Sequence, residues 1–264
     1  MTDLRSGSDA GASNWKAWSL RPLVLFVAAY TIIGILHESA HALTAYALKV
    51  PSVLFHLYAN IDQTHGTLNE LAVIRAAGPV FCFGIGLICW LAYWKASGTR
   101  AELWLLYLGW FGVATLFGNL MSTAFVGDFS RLAQALRLPM SIRYGLSVMG
   151  ALLLGGLAFL VGRELRKWAP AQVGGLKAMI GVIVVPVILG TALAILVFLP
   201  MPSQFVVGRI GESAFWIFAA VGTLLSRKRS QSIVSRSLSW VDLAILLLAV
   251  GAVRLLVGGI AFVP

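Results

Sequence analysis

The residues best suited to chemistry form a short run inside the first apolar segment of the chain. His37 and His41 lie four residues apart, and Glu38 directly follows the first histidine. Because an α-helix advances about 100° per residue, the two imidazoles would project from one face, one turn apart. That spacing suits a shared Zn²⁺ ion, and Glu38 could take a proton from a zinc-bound water as a general base. The run predicts a zinc centre in which Glu38 is the catalytic residue.

The composition places this run inside a membrane. The chain has 264 residues, of which 59% are hydrophobic and only 11% are charged, whereas soluble domains carry roughly 25% charged residues. An acidic side chain within a membrane span costs roughly 2.5 to 3.5 kcal/mol on insertion scales, so Glu38 and its neighbouring histidines need a partner such as a dication. The composition excludes a soluble globular protein, a disordered chain and a disulfide-stapled secreted protein.

The elements that must position these residues are membrane-spanning helices. We predict an all-α polytopic membrane protein with about seven transmembrane helices, at residues 22–48, 76–94, 103–127, 144–162, 178–199, 205–226 and 241–263. The chain then divides into a polar N-terminal tail, a catalytic three-helix core and four additional helices, at 1–20, 21–136 and 137–264. Lys and Arg are more numerous on the N-terminal side, which predicts a multi-pass plasma membrane protein with a cytoplasmic N-terminus.

A catalytic zinc ion usually has three protein ligands, so the two histidines leave one ligand missing. Asp128, directly after Gly127 at the end of the third span, is the best acidic candidate. The first and third spans run in the same direction, so their ends lie in the same leaflet. Gly127 would let the chain turn back toward the metal. His56 and His65, in the loop after the first span, are the remaining histidines.

Other charged residues carry weaker signals. Glu212 and Arg254 fall in the same half of the membrane as the zinc ligands and could form a polar cavity beside the metal. Alternatively, the arginine extends to the interface and Glu212 lies there too. The net charge of +10 comes mostly from short loops between apolar runs, and no basic helix face carries interleaved aromatic residues. Nucleic acid is therefore not an expected partner.

Three motifs, in this order, resemble the site-2 protease family of intramembrane zinc metalloproteases. They are the His-Glu-x-x-His run, the segment Ala76–Pro79 at the start of the second span, and the pair Asn119 and Asp128. The resemblance covers about residues 30–135. It implies that Asp128 is the third zinc ligand and that Asn119 binds the substrate backbone. This chain departs from the family pattern, because the element between Asn119 and Asp128 lacks prolines and has its glycine before the aspartate.

The loop after the first span resembles a further feature of that family, a membrane-associated β-hairpin. Residues 52–58 have the pattern of a strand, and residues 60–66 are rich in turn formers. We predict a possible short β-hairpin whose exposed edge, including Phe55, His56 and Leu57, binds an extended substrate by β-addition. The alternative is an ordinary surface loop. The family also implies a zinc site nearer the cytosol. The distribution of Lys and Arg instead places the zinc side outside the cell, and both orientations stay open.

Together these features predict a zinc metalloprotease that hydrolyses a peptide bond in or next to the membrane. The expected cofactor is Zn²⁺, and the expected partners are a membrane-spanning or membrane-adjacent peptide substrate and the lipid bilayer. Two alternatives stay open. The first is a membrane zinc hydrolase acting on a lipid amide or ester, which would use the same water-activating chemistry. The second is a non-catalytic membrane scaffold or transporter that retains the motif.

Overall fold

The computed structural model describes residues 15–170, 173–226 and 237–263. The helices are α1 (Trp15–Ala47), α2 (Leu68–Lys95), α3 (Ala101–Met121), α4 (Asp128–Ala135), α5 (Met140–Leu165), α6 (Gly175–Met179), α7 (Val185–Val197), α8 (Ser203–Ser213), α9 (Trp216–Leu225) and α10 (Trp240–Leu256). Short 3₁₀ turns follow α3 and α5, at Ser122–Ala124 and Arg166–Trp168, and a π-helical segment, Ile180–Val184, joins α6 to α7.

Five helical segments of the described chain are long and apolar enough to cross a membrane. They are Trp18–Ala47, Leu68–Lys95, Ala101–Ala124, Met140–Trp168 and Gly175–Val197. These segments support the prediction of a polytopic helical membrane protein. The count of seven is not confirmed, because the predicted sixth span is divided into α8 and α9 and the predicted seventh span yields only the 17 residues of α10.

The first and last boundaries also differ from the prediction. Helix α1 begins at Trp15, so residues 15–20 of the predicted polar tail are helical, while residues 1–14 lie outside the described part of the chain. At the other end, Gly259 has a φ of 76°. This left-handed conformation ends the helical path and turns the chain into a strand, where the sequence predicted a continuing span.

A small antiparallel sheet packs beside the C-terminal half of α1. Strand β1 (Ser52–Leu54) pairs with β2 (Ala59–Ile61) and also with β3 (Ile260–Phe262), which gives the order β2-β1-β3. The hairpin predicted between the first two long helices is therefore present. Its first strand ends at Leu54 rather than residue 58, because Phe55–Tyr58 form the turn. Strand β3 was not predicted, and it occupies the second edge of β1.

Helix α1 is the central helix of the bundle and packs against α2, α3, α7 and α10. Helices α2 and α3 approach closely through two glycines. A Cβ atom at Gly86 would lie 2.5 Å from the Val113 backbone nitrogen, and one at Gly112 would lie 2.6 Å from the Cys82 carbonyl oxygen. The two backbones could not pack this closely with larger residues, so the glycines fix α2 at a short distance from α3.

A buried ion pair ties the beginning of α1 to the beginning of α10. Arg21 Nε lies 3.1 Å from Asp242 Oδ2, and these side chains are only 1% and 8% exposed. Arg21 also donates to the Arg100 carbonyl at 2.6 Å and lies over the Trp168 ring. Asp242 additionally caps α10 together with Ser239. Since β1 follows α1 and β3 follows α10, the first and last helices begin together and end together.

We expect this ion pair to be required for stability. In Asp242→Asn the helix cap can persist, but the buried Arg21 charge loses the negative charge of the Asp242 carboxylate. Breaking a buried pair in this way costs about 3 kcal/mol. The free energy of unfolding, measured in mixed detergent micelles, should fall by about that amount, while the double variant Arg21→Met/Asp242→Leu should lose less. Equal stability of Asp242→Asn and wild type would contradict this role.

Candidate metal centre

Helix α1 presents the two predicted histidine ligands side by side. His37 Nε2 lies 3.1 Å from His41 Nε2, and the imidazole planes are nearly perpendicular. The side chains are 13% and 7% exposed. The helical spacing therefore produces what the sequence indicated, two ring nitrogens directed at one point inside the bundle.

Asp128 reaches the same point from the first residue of α4. Its Oδ2 atom lies 3.1 Å from His37 Nε2 and 3.3 Å from His41 Nε2. The preceding residue, Gly127, has a φ of 95°, a left-handed conformation that glycine adopts without a steric penalty. The prediction that Gly127 turns the chain so that Asp128 meets the histidines is confirmed.

The three donor atoms have the spacing that a metal ion needs. Their separations of 3.1, 3.1 and 3.3 Å match the edge of about 3.3 Å in a tetrahedron with metal–ligand bonds of about 2.0–2.1 Å. His37, His41 and Asp128 can thus hold a metal ion together. The Asp128 carboxylate would supply an anionic oxygen ligand beside the two imidazole nitrogens.

The surroundings set the chemical state of these ligands. His41 Nδ1 donates to the Ile74 carbonyl at 2.6 Å, so a neutral imidazole would present its Nε2 lone pair to a metal ion when one is bound. Within the described residues, His37 Nδ1 is buried without a hydrogen-bond partner. Burial alone would raise the pKa of Asp128, but its hydrogen bonds to His37 and His41 hold that pKa below its usual range.

Glu38 lies beside the cluster and contacts the sheet. Its Oε2 atom accepts a hydrogen bond of 2.9 Å from the Ala59 backbone N–H in β2. This contact fixes one carboxylate oxygen of Glu38. This contact could not be predicted from the sequence, because it depends on how the hairpin folds back over α1.

Gly78 also belongs to the site, although the sequence analysis named it only as part of the Ala76–Pro79 motif. A Cβ atom at this position of α2 would lie 2.8 Å from His41 Cε1 and 2.9 Å from His37 Cε1, well inside ordinary van der Waals distance. Only glycine leaves room here for both imidazole rings. The signal that could have found it is a glycine at the start of an apolar helix that must pack against the histidine face.

Asn119 and His56, two of the predicted substrate-binding residues, bond to main-chain carbonyls of the protein. Asn119 donates its side-chain amide to the Thr115 carbonyl, one turn earlier in α3, at 3.0 Å. His56 is 6% exposed and its Nε2 lies 3.0 Å and 3.1 Å from the carbonyl oxygens of Phe198 and Pro200. These hydrogen bonds hold both side chains against the protein's own backbone. A role of Asn119 and His56 in binding substrate stays a prediction.

The neighbours of His56 also pack against the protein. Leu57 is buried with Phe198 and Val253 in a small apolar cluster. The ring centroids of Phe55 and Tyr58 lie 5.0 Å apart. The Phe55 ring also fills the space that a Cβ atom at Gly259 would need. Since β3 pairs with the second edge of β1, the strand edge near the metal ligands belongs to β2 instead. No described strand pairs with this edge, and its Ala59 N–H donates to Glu38.

The sequence predicted that Glu212 and Arg254 form a polar cavity beside the metal. The Arg254 guanidinium donates to the carbonyls of Leu199 and Leu196, at 2.5 and 3.2 Å. Glu212 lies exposed near the end of α8. Their pairing stays a prediction.

We compared the chain with family models, with curated proteins and with solved structures, and none of the three comparisons gives a match.

The packing of Gly78 leads to a sharp test of the centre. In Gly78→Ala the added methyl group would push both imidazoles away from their common point. Displacing ligand support of this kind typically costs 10–100-fold in metal affinity. The zinc dissociation constant, measured by competition with a chromogenic chelator, should rise by at least about tenfold. The matched control is Gly84→Ala in the same helix, where an added Cβ meets nothing within 4 Å. Equal affinities of the two variants would contradict this role.

Proposed function

We propose that this chain is an intramembrane zinc metalloprotease similar to the site-2 protease family. The observation that carries the proposal is the convergence of His37, His41 and Asp128 at tetrahedral spacing. Glu38 and the free edge of a β-strand lie directly beside them. A buried, multi-ligand polar cluster of this kind has no evident role in a purely structural helix bundle.

The donor set favours zinc. Two imidazole nitrogens and one carboxylate oxygen form a three-ligand set that catalytic zinc sites use, with one position left for water or substrate. When bound, zinc would lower the pKa of a water molecule and polarise the carbonyl of the scissile bond. His37, His41 and Asp128 would hold the ion, and Gly78 would keep the imidazoles in place.

Glu38 is the group that would move the proton. It follows a metal ligand directly, and the Ala59 N–H orients its carboxylate. In the proposed reaction Glu38 takes a proton from the attacking water and returns it to the nitrogen of the leaving amine. A positioned general base of this kind contributes roughly 10²–10⁴-fold to the rate.

The free edge of β2 supports a peptide as the substrate. Phe55 pairs with Tyr58, and Asp62 with Pro51, by backbone hydrogen bonds toward the hairpin interior. Because the pattern alternates in antiparallel pairs, Ala59 and Ile61 direct their backbone groups outward. The Ala59 N–H points to Glu38. An unwound substrate segment could pair with this edge, which would supply its amides with partners that the bilayer lacks.

The proposal includes seven membrane crossings and a cytoplasmic N-terminus. Helices α1 and α10 share both ends, through the Arg21–Asp242 pair at one end and the β1–β3 pairing at the other. The segment between α7 and α10 must then return across the membrane, which favours seven crossings with α8 and α9 as an interrupted span. The distribution of Lys and Arg supports a cytoplasmic N-terminus in the plasma membrane; the predicted basic residues at 1–14 and 227–236 lie outside the described part.

Substitution of the base should separate catalysis from metal binding. Glu38→Gln keeps the shape of the side chain and removes its basicity, so zinc content should stay near the wild-type value. Peptide cleavage should fall by roughly 10²–10⁴-fold. The measurement is mass spectrometry of new peptide termini after purified protein is incubated in proteoliposomes with an extract of bacterial membrane proteins.

The same vesicles also test the alternatives. A lipid that is hydrolysed by wild type and not by Glu38→Gln, with no new peptide termini, would identify a lipid hydrolase and contradict the protease. Identical peptide and lipid profiles for the two proteins would indicate a non-catalytic role.

A substitution in β2 tests the substrate edge separately. Ile61→Pro removes an outward-facing N–H and leaves the pairing with β1 intact, as proline is tolerated on that side of an edge strand. We expect at least about tenfold slower peptide cleavage, with zinc content unchanged, because backbone hydrogen bonds provide the affinity in β-addition. The control Ile61→Val keeps the N–H and should cleave at a near wild-type rate. Equal loss in both variants would contradict binding at this edge.

A further inference from the structure

Helix α5, which follows α4, packs one face against the segment that delivers Asp128. Arg143, Ser147 and Gly150 are spaced at i, i+4 and i+7, so they share that face. All three contact the C-terminal end of α3 or the 3₁₀ turn that follows it. The sequence analysis assigned no role to Arg143, and the structure gives it a specific set of partners.

Arg143 contacts both sides of the short connection that precedes Asp128. Its Nε and Nη2 atoms donate to the Thr123 carbonyl, and Nη2 also donates to the Ala124 carbonyl, each at 3.3 Å. Nη2 lies 3.2 Å from Ser130 Oγ in α4. One guanidinium therefore joins the end of the 3₁₀ turn to the helix that begins with Asp128. In the part of the chain that the structure describes, Arg143 forms no ion pair.

Ser147 and Gly150 continue the same contact surface. Ser147 Oγ accepts a hydrogen bond of 3.0 Å from the Ala124 backbone N–H. A Cβ atom at Gly150 would lie 2.7 Å from the Phe117 carbonyl oxygen, so only glycine allows this close approach of α5 to α3. Thr123, Ala124, Ser130 and Ser147 are all buried, which shields these hydrogen bonds from water.

The connection itself is exposed. Phe125 and Val126 are 69% and 70% exposed, and Gly127 adopts a backbone conformation that few other residues tolerate. The Phe125 and Val126 N–H groups donate to the Ser122 carbonyl, and the Phe125 ring lies beside Tyr144 of α5. These contacts all lie before the turn at Gly127. The hydrogen bonds from α5 act immediately before and after it, at Ala124 and Ser130.

We propose that Arg143 and Ser147 are positioning residues for Asp128, and that α5 thereby supports metal binding. This inference rests on the metal site of the proposed function. Arg143 touches neither metal nor substrate; it acts through the backbone of the segment that carries the third ligand. Partners outside the ligand shell are commonly worth 10–100-fold in metal affinity.

The test is a double-mutant cycle on zinc affinity in the full-length, detergent-purified protein. Arg143→Gln should raise the zinc dissociation constant by roughly 10–100-fold. Arg137→Gln, which removes the same charge from an exposed neighbouring position, should stay near the wild-type value. In an Asp128→Ala background, Arg143→Gln should have no further effect, since the ligand through which it acts is gone.

A milder variant covers the case in which Arg143→Gln does not fold. Ser147→Ala removes one buried hydrogen bond and should weaken zinc binding by roughly 2–10-fold, with the same disappearance of the effect in Asp128→Ala. Zinc affinity unchanged in both Arg143→Gln and Ser147→Ala would overturn the positioning role and leave the metal site standing. An equal loss with and without Asp128 would also overturn it. A wild-type protein that binds no zinc would overturn both the inference and the proposed function.

Discussion

Three polar side chains converge inside a helix bundle made mainly of apolar residues, and the rest of the structure accommodates that convergence. Buried polar groups are costly unless each finds a partner. His41 is satisfied on one side by the Ile74 carbonyl, and its other nitrogen, together with His37 and Asp128, points to a shared position. A metal ion at that position would provide the missing partner for all three.

The close packing around this position follows from the same requirement. Two imidazoles on adjacent turns need space against the neighbouring helix, and Gly78 provides it. Asp128 must enter from another helix, so the chain turns sharply at Gly127. The additional helices then have roles of their own. Helix α5 supports the turn before Asp128, and α10 ends in the strand that completes the sheet over α1.

Those features that depend on local spacing could be predicted from the sequence. The histidine pair follows from helical periodicity, Asp128 from the direction of the spans, and the hairpin from its strand and turn pattern. Features that depend on distant contacts could not. His56 meets carbonyls more than 100 positions away, β3 lies in a run as apolar as a span, and the role of Gly78 appears only when α2 packs on α1. The partners of Arg143 and of the Ala59 N–H also could not be predicted from the sequence.

The central claim is that His37, His41 and Asp128 bind one zinc ion. X-ray absorption spectroscopy combined with metal analysis, on protein purified without chelators and supplied with zinc, tests it most directly. We expect about one zinc per chain, with two imidazole nitrogens and a carboxylate oxygen among ligands at about 2.0–2.2 Å. In His37→Ala the spectrum should lose one imidazole nitrogen, and in Asp128→Ala it should lose the carboxylate oxygen while zinc binds more weakly. A wild-type protein without stoichiometric zinc, or with zinc whose ligands are unchanged in Asp128→Ala, would contradict the account.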